Sequence, residues 1–396
     1  MLWSNVKILI ITPDIYPFQK GYGGRNPLNL LEAFSRLGHD TSILTSAPDW
    51  ESFSVDSKGL TNHFEIIKLH SLNFIPRDFD YFFPPHIRDL HKIKKILRKR
   101  DYDIIILNDY FWSLSFISVL LMGNRNRSRT IMINHGIISP DSSGLKYIFS
   151  AFSAVVSRIF IPQFMGILSY SRRSQAAISE IVNPYDRLYI HPLCIDSKQF
   201  VQDFQKSLLM PENYLEDRFG IVSNFIFSIG AISPHKGYEN LIRSFNRLKE
   251  EYPGILLIIA GKFTPYYKTL KTLTEQSNLS DKVKFIGEVS EEEKFLLLMK
   301  CSIFVIPSLS EGFGAGAMEA DLLQVKVVAT DTGAHREILA ANRFARIVVP
   351  GDENGLYKGM RDLYAMTEES SRTLDMDKLS SYSCDSLASY IISLVR

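Results

Sequence analysis

Two kinds of block alternate along the chain. Short, mainly apolar runs read as strands: Val6 to Ile11, a run starting at Ile43-Leu44, Phe64 to Leu69, Ile104 to Leu107, Thr130 to Asn134, Gly166 to Ser169 and Leu188 to Ile190. Between most of them lie segments with apolar residues at helical spacing. Leu30, Leu31, Phe34 and Leu37 predict a helix over about Asn26 to Leu37, capped by Gly38. A second series begins at Phe225 to Ile229 and continues through Leu256 to Ala260, Val283 to Ile286, Ile303 to Ile306, Val327 to Ala329 and Arg346 to Val349. Strands alternating with helices predict parallel sheets wound on both faces. The chain therefore divides into an α/β domain over residues 1–200, a polar linker over 201–222 and a second α/β domain over 223–370. A tail over 371–396 ends in an apolar stretch, Ser386 to Val395, expected to dock as a helix back towards the first domain.

Composition narrows the class. At 396 residues there is room for two full cores. A net charge of +2 gives no argument for nucleic acid as a partner. The apolar segments Ile104 to Met122 and Leu145 to Tyr170 contain Asn108 and Asp109, and Arg158 and Pro162, so they read as core and not as membrane spans. Lys7 interrupts the first apolar run, unlike a signal peptide. Cys194, Cys301 and Cys384 lack metal-ligand spacing, which fits a reducing compartment, a cytoplasmic protein and no disulfide framework. Arg88 to Arg100 holds seven Lys or Arg residues, with Ile87, Leu90, Ile93 and Leu97 on one stripe and an aromatic cluster from Phe79 to Phe83 before it. The stretch Phe79–Arg100 suits an anionic membrane surface. It equally suits a sheet-packing helix with a solvated outer face. Asp101-Tyr102-Asp103 sits on a helix-to-strand connection and reads as a turn; no metal site is expected.

Candidate chemistry collects at strand-to-helix turns. The strand Ile303 to Ile306 runs through Ser308-Leu309-Ser310-Glu311-Gly312-Phe313-Gly314-Ala315 into a helix carrying Glu319. Ligands of open α/β sheets bind at carboxyl ends of strands, and a helix start offers unpaired N–H groups to an anion. Glu311 and Glu319 are eight residues apart, roughly 12 Å at helical rise. That suits the two ends of a nucleotide sugar, with the diphosphate between them. Gly230 to Gly237, including Lys236, repeats the strand, glycine loop and helix layout of a phosphate site without being a Walker loop. A glycine loop, Gly21 to Arg25, follows the first strand, and His135 ends the strand Thr130 to Asn134. His39 and the acids Glu291, Glu292 and Glu293 read as structural, the acids as favourable charges at a helix start capped by Ser290.

The strand, Ser-Glu-Gly-Phe-Gly turn, Glu319 helix, next strand and Thr330-Asp331-Thr332-Gly333 together resemble the family 4 glycosyltransferases, most strongly from about Phe225 to Leu339. The resemblance implies the GT-B fold, two Rossmann-like domains facing across a cleft. It implies a retaining, metal-independent hexosyltransferase with no cofactor, acting on a nucleoside-diphosphate sugar and a glycan or lipid-linked acceptor. Glu311 and Glu319 would grip the donor, with Gly312, Phe313, Gly314 and Ala315 around them. Lys236, with Gly230, would hold the diphosphate; Gly261, Ile286 and Gly287 would line the base. Gly23, Gly24 and Arg25 would approach the sugar, and His135 would line the reacting face. His135, Lys236 and Glu311 are thus the catalytic candidates, and no nucleophile is named. Two departures bear on this. Ala231 stands where the family commonly has arginine, and Leu193-Cys194 replaces Asn-Gly. They leave open a non-catalytic scaffold subunit, and an epimerase of the same fold is a third reading.

Overall fold

A computed structural model describes residues 5–13, 22–47, 64–71, 85–108, 113–135, 155–182, 185–367 and 372–395. The chain forms two compact units, residues 1–196 with 382–396, and residues 197–381. In the first, β1 (Lys7–Ile11), β2 (Asp40–Ala47), β3 (Phe64–His70), β4 (Ile104–Asn108), β5 (Thr130–Asn134), β6 (Gly166–Ser169) and β7 (Leu188–Ile190) form one parallel sheet in the order β3-β2-β1-β4-β5-β6-β7. In the second, β8 (Phe225–Ile229), β9 (Leu256–Ala260), β10 (Val283–Gly287), β11 (Ile303–Ile306), β12 (Val327–Thr330) and β13 (Ala345–Val348) follow the order β10-β9-β8-β11-β12-β13, again all parallel. Both sheets reverse direction beside their first strand, between β1 and β4 and between β8 and β11. Such a switch point opens a crevice at the strands' carboxyl ends.

The central strands are buried on both faces, which is why they read as unbroken apolar runs. The helices supply the facing apolar stripes: Ile93 and Leu97 complete the first core, and Leu241, Ile242, Phe245 and Leu248 the second.

Four expectations change. Residues 201–222 are not an irregular linker: they fall mostly in helices Ser197–Leu208 and Tyr214–Phe219 of the second unit. The cause is local amphipathicity, with Phe200 and Phe204 packed on the ring of Phe295 at 4.8 and 6.2 Å, Asp203 and Ser207 buried beside them, and Lys198, Gln199, Gln202, Gln205 and Lys206 facing out. The glycine loop is partly helix, since Gly23, Gly24 and Arg25 lie in the first turn of Tyr22–Arg36. The basic helix Leu90–Lys99 has spent its apolar stripe, with Ile93 and Leu97 in the core and Leu90 packed against it; only Ile87, at its head, is exposed. It offers a bilayer little but charge, and Phe79 to Pro84 lie outside the described residues. Lastly, Cys194 and Cys384 form a disulfide across 190 residues, their Cα atoms 4.8 Å apart. No local spacing could announce a pairing that distant. It joins the turn after β7 to the helix Cys384–Ser393, which packs on Tyr22–Arg36. Among the described residues no helix is long and apolar enough to cross a membrane.

Candidate functional site

The second unit builds its site at the β8/β11 switch point. After β8 the chain turns at Gly230 and makes a short turn of 3-10 helix, Pro234–Lys236. Gly237 then enters the helix Tyr238–Glu251 with φ +67°. A Cβ at this position would lie 2.1 Å from the carbonyl oxygen of Pro307, so only glycine lets the loop after β8 rest on the loop after β11. The amide of Leu309 donates to the carbonyl of His235 at 2.8 Å and fixes that contact. Lys236 and Glu311 meet as a result: Nζ donates to Oε1 at 2.6 Å, with both side chains largely buried. Ser308 Oγ donates to the same oxygen at 2.7 Å. Burial would raise the Glu311 carboxyl, but the Lys236 ammonium and these hydrogen bonds bring it below the ordinary carboxylate value.

Gly314 heads the helix Ala315–Leu322 at φ +99°. A side chain there would strike His335, whose ring atoms lie 2.3 Å from the Cβ position. His335 is fully buried and its Nδ1–H donates to the Thr330 carbonyl at 2.8 Å. The ring thus braces the turn from below, and burial lowers its pKa. The amide of Ala334 donates to the carbonyl of Phe313, tying the turn after β12 to that after β11. Gly312 is exposed, Phe313 buried, and Ala315 opens the helix. Glu319 lies on this helix, buried, and accepts from Lys294 Nζ at 2.5 Å. Gly230, Gly261 and Gly287 stand side by side at the ends of β8, β9 and β10: Gly230 donates to Ala260 and Gly261 to Gly287 at 3.0 and 2.7 Å. Ile286 is half-buried on β10.

The first unit has its own polar cluster at the β1/β4 switch point. His135 Nε2–H donates to Asn108 Oδ1 at 2.8 Å, and Asn108 Nδ2 donates to Thr12 Oγ1 at 3.2 Å. The Tyr170 ring meets the His135 ring edge-on at 5.0 Å, and its hydroxyl lies 3.5 Å from Asn26 Nδ2 in the first helix. Burial lowers the His135 pKa to about 4, so the ring is neutral near pH 7. Gly136 lies outside the described residues.

The structure thus joins Lys236 to Glu311, and places Gly23 to Arg25 on the same helix as the Asn26 end of the His135 cluster. Sequence reading missed Ser308, Lys294, His335, Asn108 and Tyr170; Asn108 was signalled only by its place at a strand end. Asp101 and Asp103 serve structure: Asp101 pairs with Arg125 and Arg129, and Asp103 accepts from the amide of Lys7. Among the described residues no three His, Cys, Asp or Glu side chains are grouped to hold a metal ion.

The family described as glycosyl transferases group 1 matches residues 218–375, and Glycosyltransferase Family 4 matches residues 24–199. The chain belongs to the group 1, family 4 glycosyltransferases. This glycosyltransferase is 30% identical over 149 residues to the O-antigen chain mannosyltransferase RfbU of Salmonella typhimurium, a match spanning 38% of this chain and 41% of that protein. It is 23% identical over 373 residues to O-antigen chain mannosyltransferase C of Escherichia coli, covering 93% of this chain and 91% of the relative. Among solved structures, Anabaena Alr3699/HepE in complex with UDP and glucose superposes with a TM-score of 0.65 at 18% identity, over 99% of this chain and 97% of that one. These likenesses give the glycosyltransferase the GT-B class of two parallel-sheet α/β domains.

Proposed function

We propose that this glycosyltransferase is a retaining, metal-independent hexosyltransferase. It moves a sugar from a nucleoside-diphosphate sugar to a glycan or lipid-linked acceptor in surface polysaccharide synthesis. The O-antigen relatives support the pathway and make mannose the first sugar to test. The observation that carries the reading is the Lys236–Glu311 pair, held at 2.6 Å beside the head of the Ala315 helix. As the diphosphate leaves the anomeric carbon, charge builds on its oxygens. Lys236 and the N–H groups at Gly314 and Ala315 are the donors available to stabilise it. Glu311 orients the sugar hydroxyls, and Glu319 accepts from the ribose. Lys236 supplies a cation at the leaving group, which supports turnover without a metal.

Thermal unfolding with UDP, GDP and ADP, with and without magnesium, tests this. One nucleotide is expected to raise the midpoint without metal. At a hundredfold over its dissociation constant the gain is about 2.7 kcal/mol. The matching mannose donor is then assayed for transfer. No shift with any of the three sinks the reading and favours a scaffold that keeps the fold without the site, a role that Ala231 in place of the family's arginine would fit.

A further inference from the structure

Lys294 has no place in the chemistry above, yet it is among the most buried cations of the second unit. It is the fourth residue of the helix Glu291–Lys300. Its side chain is 7% exposed, that of Glu319 3%, and their Nζ and Oε1 atoms lie 2.5 Å apart. The same ammonium donates to Glu291 Oε2, on the exposed side, at 2.6 Å. The helix start that carries it is locked. Ser290 Oγ accepts from the Glu293 amide at 3.1 Å, and Glu293 Oε2 accepts from the Ser290 amide at 2.8 Å. Tyr214 donates to Glu293 as well. Burial would push the lysine down, but Glu319 and Glu291 hold it above the ordinary lysine value.

Packing alone does not call for this arrangement. Taking two charges out of water is costly, and apolar residues of similar size often serve a core as well or better. What the pair does supply is a carboxylate fixed in one orientation by a 2.5 Å hydrogen bond, five residues beyond Gly314, about 7.5 Å along the helix proposed to receive the diphosphate. We infer that Lys294 is a positioning residue for the donor's ribose, turning the Glu319 carboxylate so that it accepts from the ribose hydroxyls. The lysine takes one of roughly four acceptor directions of that carboxylate. The inference rests on the reading of Glu319 as the ribose group.

The test uses the full chain and calorimetric titration of UDP, GDP and ADP, each beside its 2′-deoxy form. The wild type is expected to bind the ribonucleotide about tenfold more tightly than the deoxy form, the worth of one good contact. Glu319→Gln should erase most of that ratio. Lys294→Met should erase it too, by weakening the ribonucleotide and sparing the deoxy form, and Lys294→Arg should restore part of it. Should the methionine variant not fold, Lys294→Gln, which keeps an N–H donor without the charge, carries the same comparison. If Lys294 variants weaken both nucleotides equally, or lower only the melting point, the lysine is merely structural and the inference is overturned. If Glu319→Gln leaves the ratio intact, the ribose assignment fails and takes the lysine's role with it. If no nucleotide binds the wild type, the proposed function itself fails.

Discussion

Lys236 and Glu311 are each other's partner, and each is also assigned to a different part of the donor. Under the proposed function a diphosphate would draw on the ammonium and sugar hydroxyls on the carboxylate, two groups that the contact of Gly237 with Pro307 already holds together. Glu311→Ala is expected to cut kcat/KM by at least about a hundredfold, the range for loss of one organised transition-state contact. Its melting point should stay close to wild type, because the residue sits on a loop; retained transfer activity would refute its assignment. These two residues were legible in the sequence because each stands in a strand-to-helix turn with glycine beside it. Their pairing was not, since it depends on Gly237 lying on the Pro307 carbonyl, a contact between segments about seventy residues apart. Lys294 was invisible for a similar reason. Among three acids at a helix start it looks like an ordinary surface charge, and only the neighbouring helix shows that it is buried.

At the scale of elements, every strand was readable, the central ones because parallel strands covered on both faces are apolar almost throughout. The helix Ser197–Leu208 escaped notice because its two aromatic anchors, Phe200 and Phe204, are few among polar residues. Tertiary packing on Phe295 decides that segment, not its average polarity. The capping box at Ser290 is the opposite case, written in the sequence as Ser-x-x-Glu and present in the structure. It anchors the helix that carries Lys294. Ser290→Ala is expected to cost about 1 kcal/mol in urea unfolding. A loss under a few tenths would mean that Tyr214 and Arg218, which also contact Glu293, hold the helix start without the cap.

Across the whole molecule, histidine burial sets the response to acid. Burial lowers the pKa of His39, His135 and His191 in the first unit and His335 in the second, His135 to about 4. Below the ordinary value of about 6.5 the unfolded chain takes up protons that the folded chain refuses. Stability from these groups is therefore complete above pH 6.5 and falls as the pH drops towards 4, by at most about 1.4 kcal/mol per pH unit for each histidine. Melting points measured from pH 7.5 to 4.5 should decline, and His135→Gln should flatten the slope. A flat wild-type profile would contradict the burial of these rings.

The disulfide was the least legible feature of all, and burial of both sulfurs limits the access of reducing thiols to it. Its position has a consequence for how the molecule is made. The second unit is one continuous stretch, residues 197–381, inserted within the first. On the ribosome it can finish folding while the first unit still lacks the helix Cys384–Ser393. Until that helix emerges, Cys194 lacks its partner Cys384 and the helix Tyr22–Arg36 lacks the helix that covers it. The half of the protein that is begun first is thus the half that is completed last.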